Sequence, residues 1–213
     1  MRLLTLLGLV PLMAALPATA TSAEVVTRYE ISRQQAGKTE VIGYYDYVRA
    51  GRSIAMRDSR NGFWDVWQRA DDGRVGLERV VPALSSFVEI ESGELAARNL
   101  TVDWDVLQQP FAPSVIDKCR SGEADSNFRC ETDWSGDIKA LRFLSEQTIE
   151  EWKAVDVSDS DRLSLISMLS MPQGYQRWDA ADFGDQESLP ALREFQKAAR
   201  LEALLGAHQD HAH

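Results

Sequence analysis

The sequence predicts an α+β domain built on a curved antiparallel β-meander, half-barrel-like, with two or more covering helices. Three observations lead there. From Val25 to Glu91, β-branched and aromatic segments are punctuated by turn signals roughly every eight to twelve residues. Two later segments, around Leu163–Met171 and Leu189–Leu205, are apolar in helical rather than alternating patterns. Strand-like segments also place aromatic residues on both of their faces, which suits a sheet covered on one side and lined or packed again on the other.

The elements follow in order. Val25–Arg33 is read as the first strand, with Gln35-Ala36-Gly37-Lys38 as its turn. Thr39–Arg49 comes next; alternation puts Ile42, Tyr44, Asp46 and Val48 on one face and Tyr45 and Tyr47 on the other. Ala50-Gly51 leads into Ser53–Asp58, and Arg60-Asn61-Gly62 into Phe63–Arg69. In that strand Phe63 and Trp67 share a face, and Trp64 and Val66 the opposite one. Asp71-Asp72-Gly73 is a hairpin signal before Val75–Val81 and Ser86–Glu91.

Gly93–Asn99 and Asp103–Gln109 read as short helices or turns, and Pro110 and Pro113 bound an irregular stretch. The sheet resumes with Phe128–Trp134 and Ile138–Leu144; Gln147–Val157 fits a strand or, from its Glu-rich start, a helix. Ser160 is placed as the cap of the Leu163–Met171 helix, stopped by Pro172 and Gly174. Tyr175–Phe183 adds a last strand. Ser188, Pro190 and Gly206 frame the last helix.

Residues 1–23 read as a cleavable signal peptide: Arg2, an apolar run to Leu16, then Ala18-Thr19-Ala20 and Thr21-Ser22-Ala23 as small-x-small cleavage sites. Residues 24–206 are then one domain, and 207–213 a disordered, His-rich tail. The expected address is periplasmic or secreted, without stable membrane insertion, because the apolar run falls short of about 20 residues. The chain has 23 basic and 33 acidic residues, a formal charge of -10, with no basic cluster to attract nucleic-acid phosphates. Cys119 and Cys130 are expected to pair as a structural disulfide in an oxidising compartment.

Catalytic signatures are scarce. The three histidines, His208, His211 and His213, all lie in the tail, so the body offers no histidine base for a nucleophile. Gly-rich phosphate loops and the G-x-S-x-G elbow are absent. Two carboxylate groupings keep a polysaccharide hydrolase open as an alternative: Asp103 with Asp105, which would share a face on a strand, and Asp179 with Asp182 and Asp185. A further alternative is an envelope metal-binding protein, with His208, Asp210, His211 and His213 loosely chelating Zn²⁺, Cu²⁺ or Ni²⁺.

This layout, a signal peptide leading into a long meander interrupted by the apolar Leu163–Met171 helix, resembles the LolA/LolB type of periplasmic lipoprotein carrier. The resemblance is architectural. It implies a curved half-barrel over an apolar cavity, with helices as a lid. The leading expectation is a non-catalytic accessory or carrier protein that binds an apolar small molecule, a lipid or an envelope protein. The residues expected to meet the ligand are Phe63 and Trp67 on the sheet and Leu165, Met168 and Leu169 on the helix.

Overall fold

The computed structural model describes residues 24–100, 102–121, 127–180 and 190–200. The first half runs β1 (Val25–Gln35), β2 (Lys38–Ala50), β3 (Ser53–Asp58), β4 (Trp64–Arg69), β5 (Val75–Val81) and β6 (Ser86–Ile90). Three short helices follow: α1 (Ser92–Ala97), α2 (Trp104–Leu107) and α3 (Pro113–Ser121). The rest is β7 (Phe128–Thr132), β8 (Ile138–Leu144), β9 (Thr148–Val155), α4 (Asp159–Ile166), β10 (Gln176–Asp179) and α5 (Pro190–Ala198).

The ten strands among the described residues join one open sheet in the order β10-β6-β5-β4-β3-β2-β1-β9-β8-β7. The α+β class and a large, mostly antiparallel sheet are therefore as the sequence predicts. Hairpin chemistry accounts for much of the register. Between β1 and β2, Ala36 and Gly37 both take positive φ, 50° and 77°, the two-residue turn whose twist matches the flanking strands. Gln147–Val157 resolves as strand β9, paired to β1 from Arg28↔Val155 to Gln35↔Thr148.

Several expectations are corrected. β10 pairs parallel to β6, not antiparallel, and is only four residues long. The stretch between Pro110 and Pro113 is irregular as expected, but Pro113 opens a helix that the sequence reading did not place, α3, where its missing N–H and fixed φ suit a first helical turn. The cap of α4 is Ser158, not Ser160; its Oγ accepts from the Asp161 N–H at 3.2 Å, so the helix starts a turn earlier than its apolar residues imply. The helix also ends at Ile166, followed by a 3-10 turn over Ser167–Leu169.

Both faces of the central strands are covered. On one, Tyr47, Ile54, Trp67, Leu77 and Ile90 pack against Leu95 of α1, Trp104 and Leu107 of α2, and Phe195 of α5. On the other, Val48, Ala55, Trp64, Val66 and Val80 pack against Leu165 and Met168. Neighbouring residues of one strand thus feed opposite cores, the period-2 alternation of a pleated strand. A third cluster lies under α3, on the same face as α1 and α2, where Phe128, Ile138 and Leu141 meet Phe111, Val115 and Ile116. The paired Cys119 and Cys130 fasten α3 to β7 there.

Candidate functional site

The segment from α2 to α3 crosses the sheet as a strap, and β2 holds it. Three alternate residues of β2, which share a face, each donate to a strap carbonyl. Tyr45 Oη donates to Pro110 O at 2.8 Å, Tyr47 Oη to Leu107 O at 3.0 Å, and Arg49 Nη1 to Gln108 O at 3.1 Å. Those carbonyls belong to the end of α2 and the residues after it, where helix geometry leaves acceptors without partners. Further along, Phe111 packs edge-on against Tyr29 at 4.8 Å between centroids and stacks on Tyr45 at 5.9 Å.

Beneath the strap lies a cavity of about 330 Å³. Thr27, Tyr29, Tyr47 and Ala154 form its floor on β1, β2 and β9; Gln108–Pro110 and α3, through Ile116 and Arg120, cover it. The turn into β8 closes one side, where Tyr29 Oη donates to Ile138 O at 3.1 Å. Burial pushes the Tyr47 phenol up to about 12, only partly offset by the Arg49 guanidinium beside it. Burial also raises Tyr29, helped by the charge of Asp137. Both phenols therefore remain protonated donors at neutral pH, and the tethers do not titrate away.

The residues expected to meet a ligand are not brought together. Trp67 is buried, at 8% exposure, in the core under α1 and α2, with Phe63 packed at its margin beneath the Arg79 guanidinium, 4.2 Å from the ring centroid. Leu165 and Met168 are buried on the opposite face of the sheet, with Leu169 packed beside them. The two groups are thus separated by the sheet itself. Of the carboxylates, Asp103 caps α2, its Oδ1 accepting from the Asp105 N–H at 2.9 Å, and Asp105 Oδ1 accepts from Gln108 Nε2 at 3.0 Å. The two stand at a helix start rather than on a strand, so the shared face expected of them is lost. Asp179 is exposed on β10; Asp182 and Asp185 lie outside the described residues. The signal segment and His208, Asp210, His211 and His213 also lie outside them. Among the described residues no group of three or more His, Cys, Asp or Glu is placed to hold a metal ion.

Sequence reasoning missed Arg49, Arg120 and Lys139, which reach the cavity from β2, α3 and β8. The signal for Arg49 was present: it continues the Tyr45, Tyr47 alternation by one step. No protein-family model matches the chain, and no curated protein matches it significantly.

Proposed function

We propose that this is an exported, non-catalytic carrier or accessory protein that takes a small apolar ligand in the cavity beneath the strap. The observation that carries this reading is that partly enclosed space, roofed by a segment tied to the sheet through three side-chain hydrogen bonds and one disulfide. Its volume, about 330 Å³, is at the lower end of the ~300–1,000 Å³ usual for ligand sites, which suits one short chain rather than a large lipid. Export is supported by the composition of residues 1–23 and by the Cys119–Cys130 pair. No helix among the described residues is long and apolar enough to cross a membrane. A half-barrel curvature of the sheet, as in LolA/LolB-type carriers, belongs to the same proposal.

The test is calorimetric titration with decanol and with a neutral fluorescent probe, N-phenylnaphthylamine. The native protein should take up about one molecule of either. Thr27→Phe, which places a ring on the cavity floor, should abolish uptake while leaving the circular dichroism spectrum and melting transition in place. Uptake by the plugged variant equal to that of the native chain would remove the cavity from consideration.

A further inference from the structure

The cavity wall is charged against the trend of the molecule. The chain carries a formal charge of -10, yet Arg49, Arg120 and Lys139 face the cavity against one carboxylate in its lining, Asp137. Lys139 is already engaged, its Nζ 3.0 Å from Asp133. Arg49 and Arg120 have no carboxylate partner among the described residues. Arg49 is half-buried, and its bonds go to the neutral oxygens of Gln108, at 3.1 Å to the carbonyl and 3.5 Å to the side chain. A partly desolvated guanidinium with no counter-ion is a cost that an anion in the cavity relieves.

The planar fork of an arginine also pairs two N–H donors with two oxygens of one head group. The hollow lined by Gln68, Arg69, Arg74, Glu78, Glu89 and Glu91 shows the contrast, because acids outnumber bases in its lining. Arg49, half-buried, and Arg120, exposed at the rim, thus bring two guanidiniums to a space also lined by Ile116, Ile138 and the Tyr47 ring.

We infer that the cavity selects ligands with an oxyanion head on a short apolar chain, the head held by Arg49 and Arg120. This deepens the carrier reading above and rests on it. Large polyanions are disfavoured by the net charge of the molecule, whereas a single acidic head carried on an apolar chain meets the two arginines locally.

The experiment titrates decanoate, decyl phosphate and decanol into the native protein and into Arg49→Gln/Arg120→Gln. Decanoate should bind the native protein about tenfold more tightly than decanol, as expected for one charge-assisted contact, and the double variant should lose that preference. The readout is the ratio of decanoate to decanol affinity within each protein, because a strap loosened by the loss of Arg49 weakens both ligands alike and leaves that ratio unmoved. Because Arg49 also ties the strap, Arg49→Lys serves as a second variant: it keeps the charge and should keep a preference for decanoate over decanol. Comparing decyl phosphate with decanoate separates a phosphate head from a carboxylate one. Equal affinity of the native protein for decanoate and decanol, with Thr27→Phe abolishing both, would overturn this inference and leave the carrier reading standing. Failure of the native protein to bind any of the three would overturn both.

Discussion

Asp46 is wholly buried, yet ionic contact holds it from two sides. Arg28 Nε donates to its Oδ1 at 2.7 Å, and Arg57 donates to Oδ2 through Nη2 at 2.6 Å and Nε at 2.9 Å. Arg28 also reaches Asp161 in the first turn of α4 at 3.6 Å, so the triad links β1, β2 and β3 to the helix above them. Removing the shared carboxylate leaves two guanidiniums facing each other. Asp46→Ala should cost about 3 kcal/mol in urea unfolding, the lower end for a broken buried pair because both arginines retain some exposure. On the opposite face, Tyr47→Phe should cost about 1–2 kcal/mol by orphaning the Leu107 carbonyl. Asp133 tests the electrostatics of the turn into β8. Hydrogen bonds from Ser135 and Lys139, with backbone N–H groups of Asp137 and Ser135, hold its carboxyl well below the usual carboxylate range. A depressed folded value means the stabilisation is complete above the unfolded value of about 4 and fades as pH falls through the folded one. Carbon-13 titration of Asp133 should therefore give a midpoint far into acid, and Ser135→Ala should move it back up.

At the scale of elements, legibility followed from whether a segment's local pattern and its tertiary role agreed. The hairpin strands β1 to β5 were readable because turn residues such as Ala36-Gly37 and Asp71-Asp72-Gly73 fix where each strand ends. The alternation of Trp64 with Val66 against Phe63 with Trp67 also assigned each residue to its observed core. β10 was not readable in its direction: four residues carry no signal that distinguishes a parallel partner from an antiparallel one. α3 was missed because Pro113 was read only as the end of an irregular stretch, and the helix has no fully buried residue to give it a strong apolar face. Its attachment therefore leans on Val115, Ile116 and the disulfide. Replacing both cysteines by serine should lower stability by about 3 kcal/mol in the chain-entropy model and raise hydrogen exchange across residues 113–121 before it rises in β2. Unchanged exchange there would mean that packing alone secures the strap. The turn between β7 and β8 makes a separate optical prediction. Trp134 is 98% exposed, whereas Trp64, Trp67 and Trp104 are at 9% or less. Trp134→Phe should therefore remove most of the fluorescence that iodide quenches.

For the molecule as a whole, the sequence disclosed that apolar residues occupy both sheet faces but not what lies above each. That depends on where the chain returns after β6 and after β9, and such long-range placement leaves no periodic trace in either segment. Phe63 and Trp67 on the one hand, and Leu165, Met168 and Leu169 on the other, looked like partners because all are large and apolar, whereas the sheet stands between them. The same arrangement has a mechanical consequence. Strands β2 to β5 contribute to both cores at once, Tyr47 and Val48, Ile54 and Ala55, or Val66 and Trp67 being successive residues of one backbone. A strand cannot loosen toward one face and keep its ladder for the other, so the two cores should melt together. Leu165→Ala opens a cavity under α4 and should cost about 2–5 kcal/mol. In native-state hydrogen exchange that loss should also appear in α1, whose Leu95 packs on the far face of the sheet, by the same free energy as in β4. Near- and far-ultraviolet circular dichroism should fall at one common denaturant midpoint in both proteins. Protection retained in α1 while α4 and β4 lose theirs would show instead that the two faces are held by separable units, with the sheet passing strain from neither to the other.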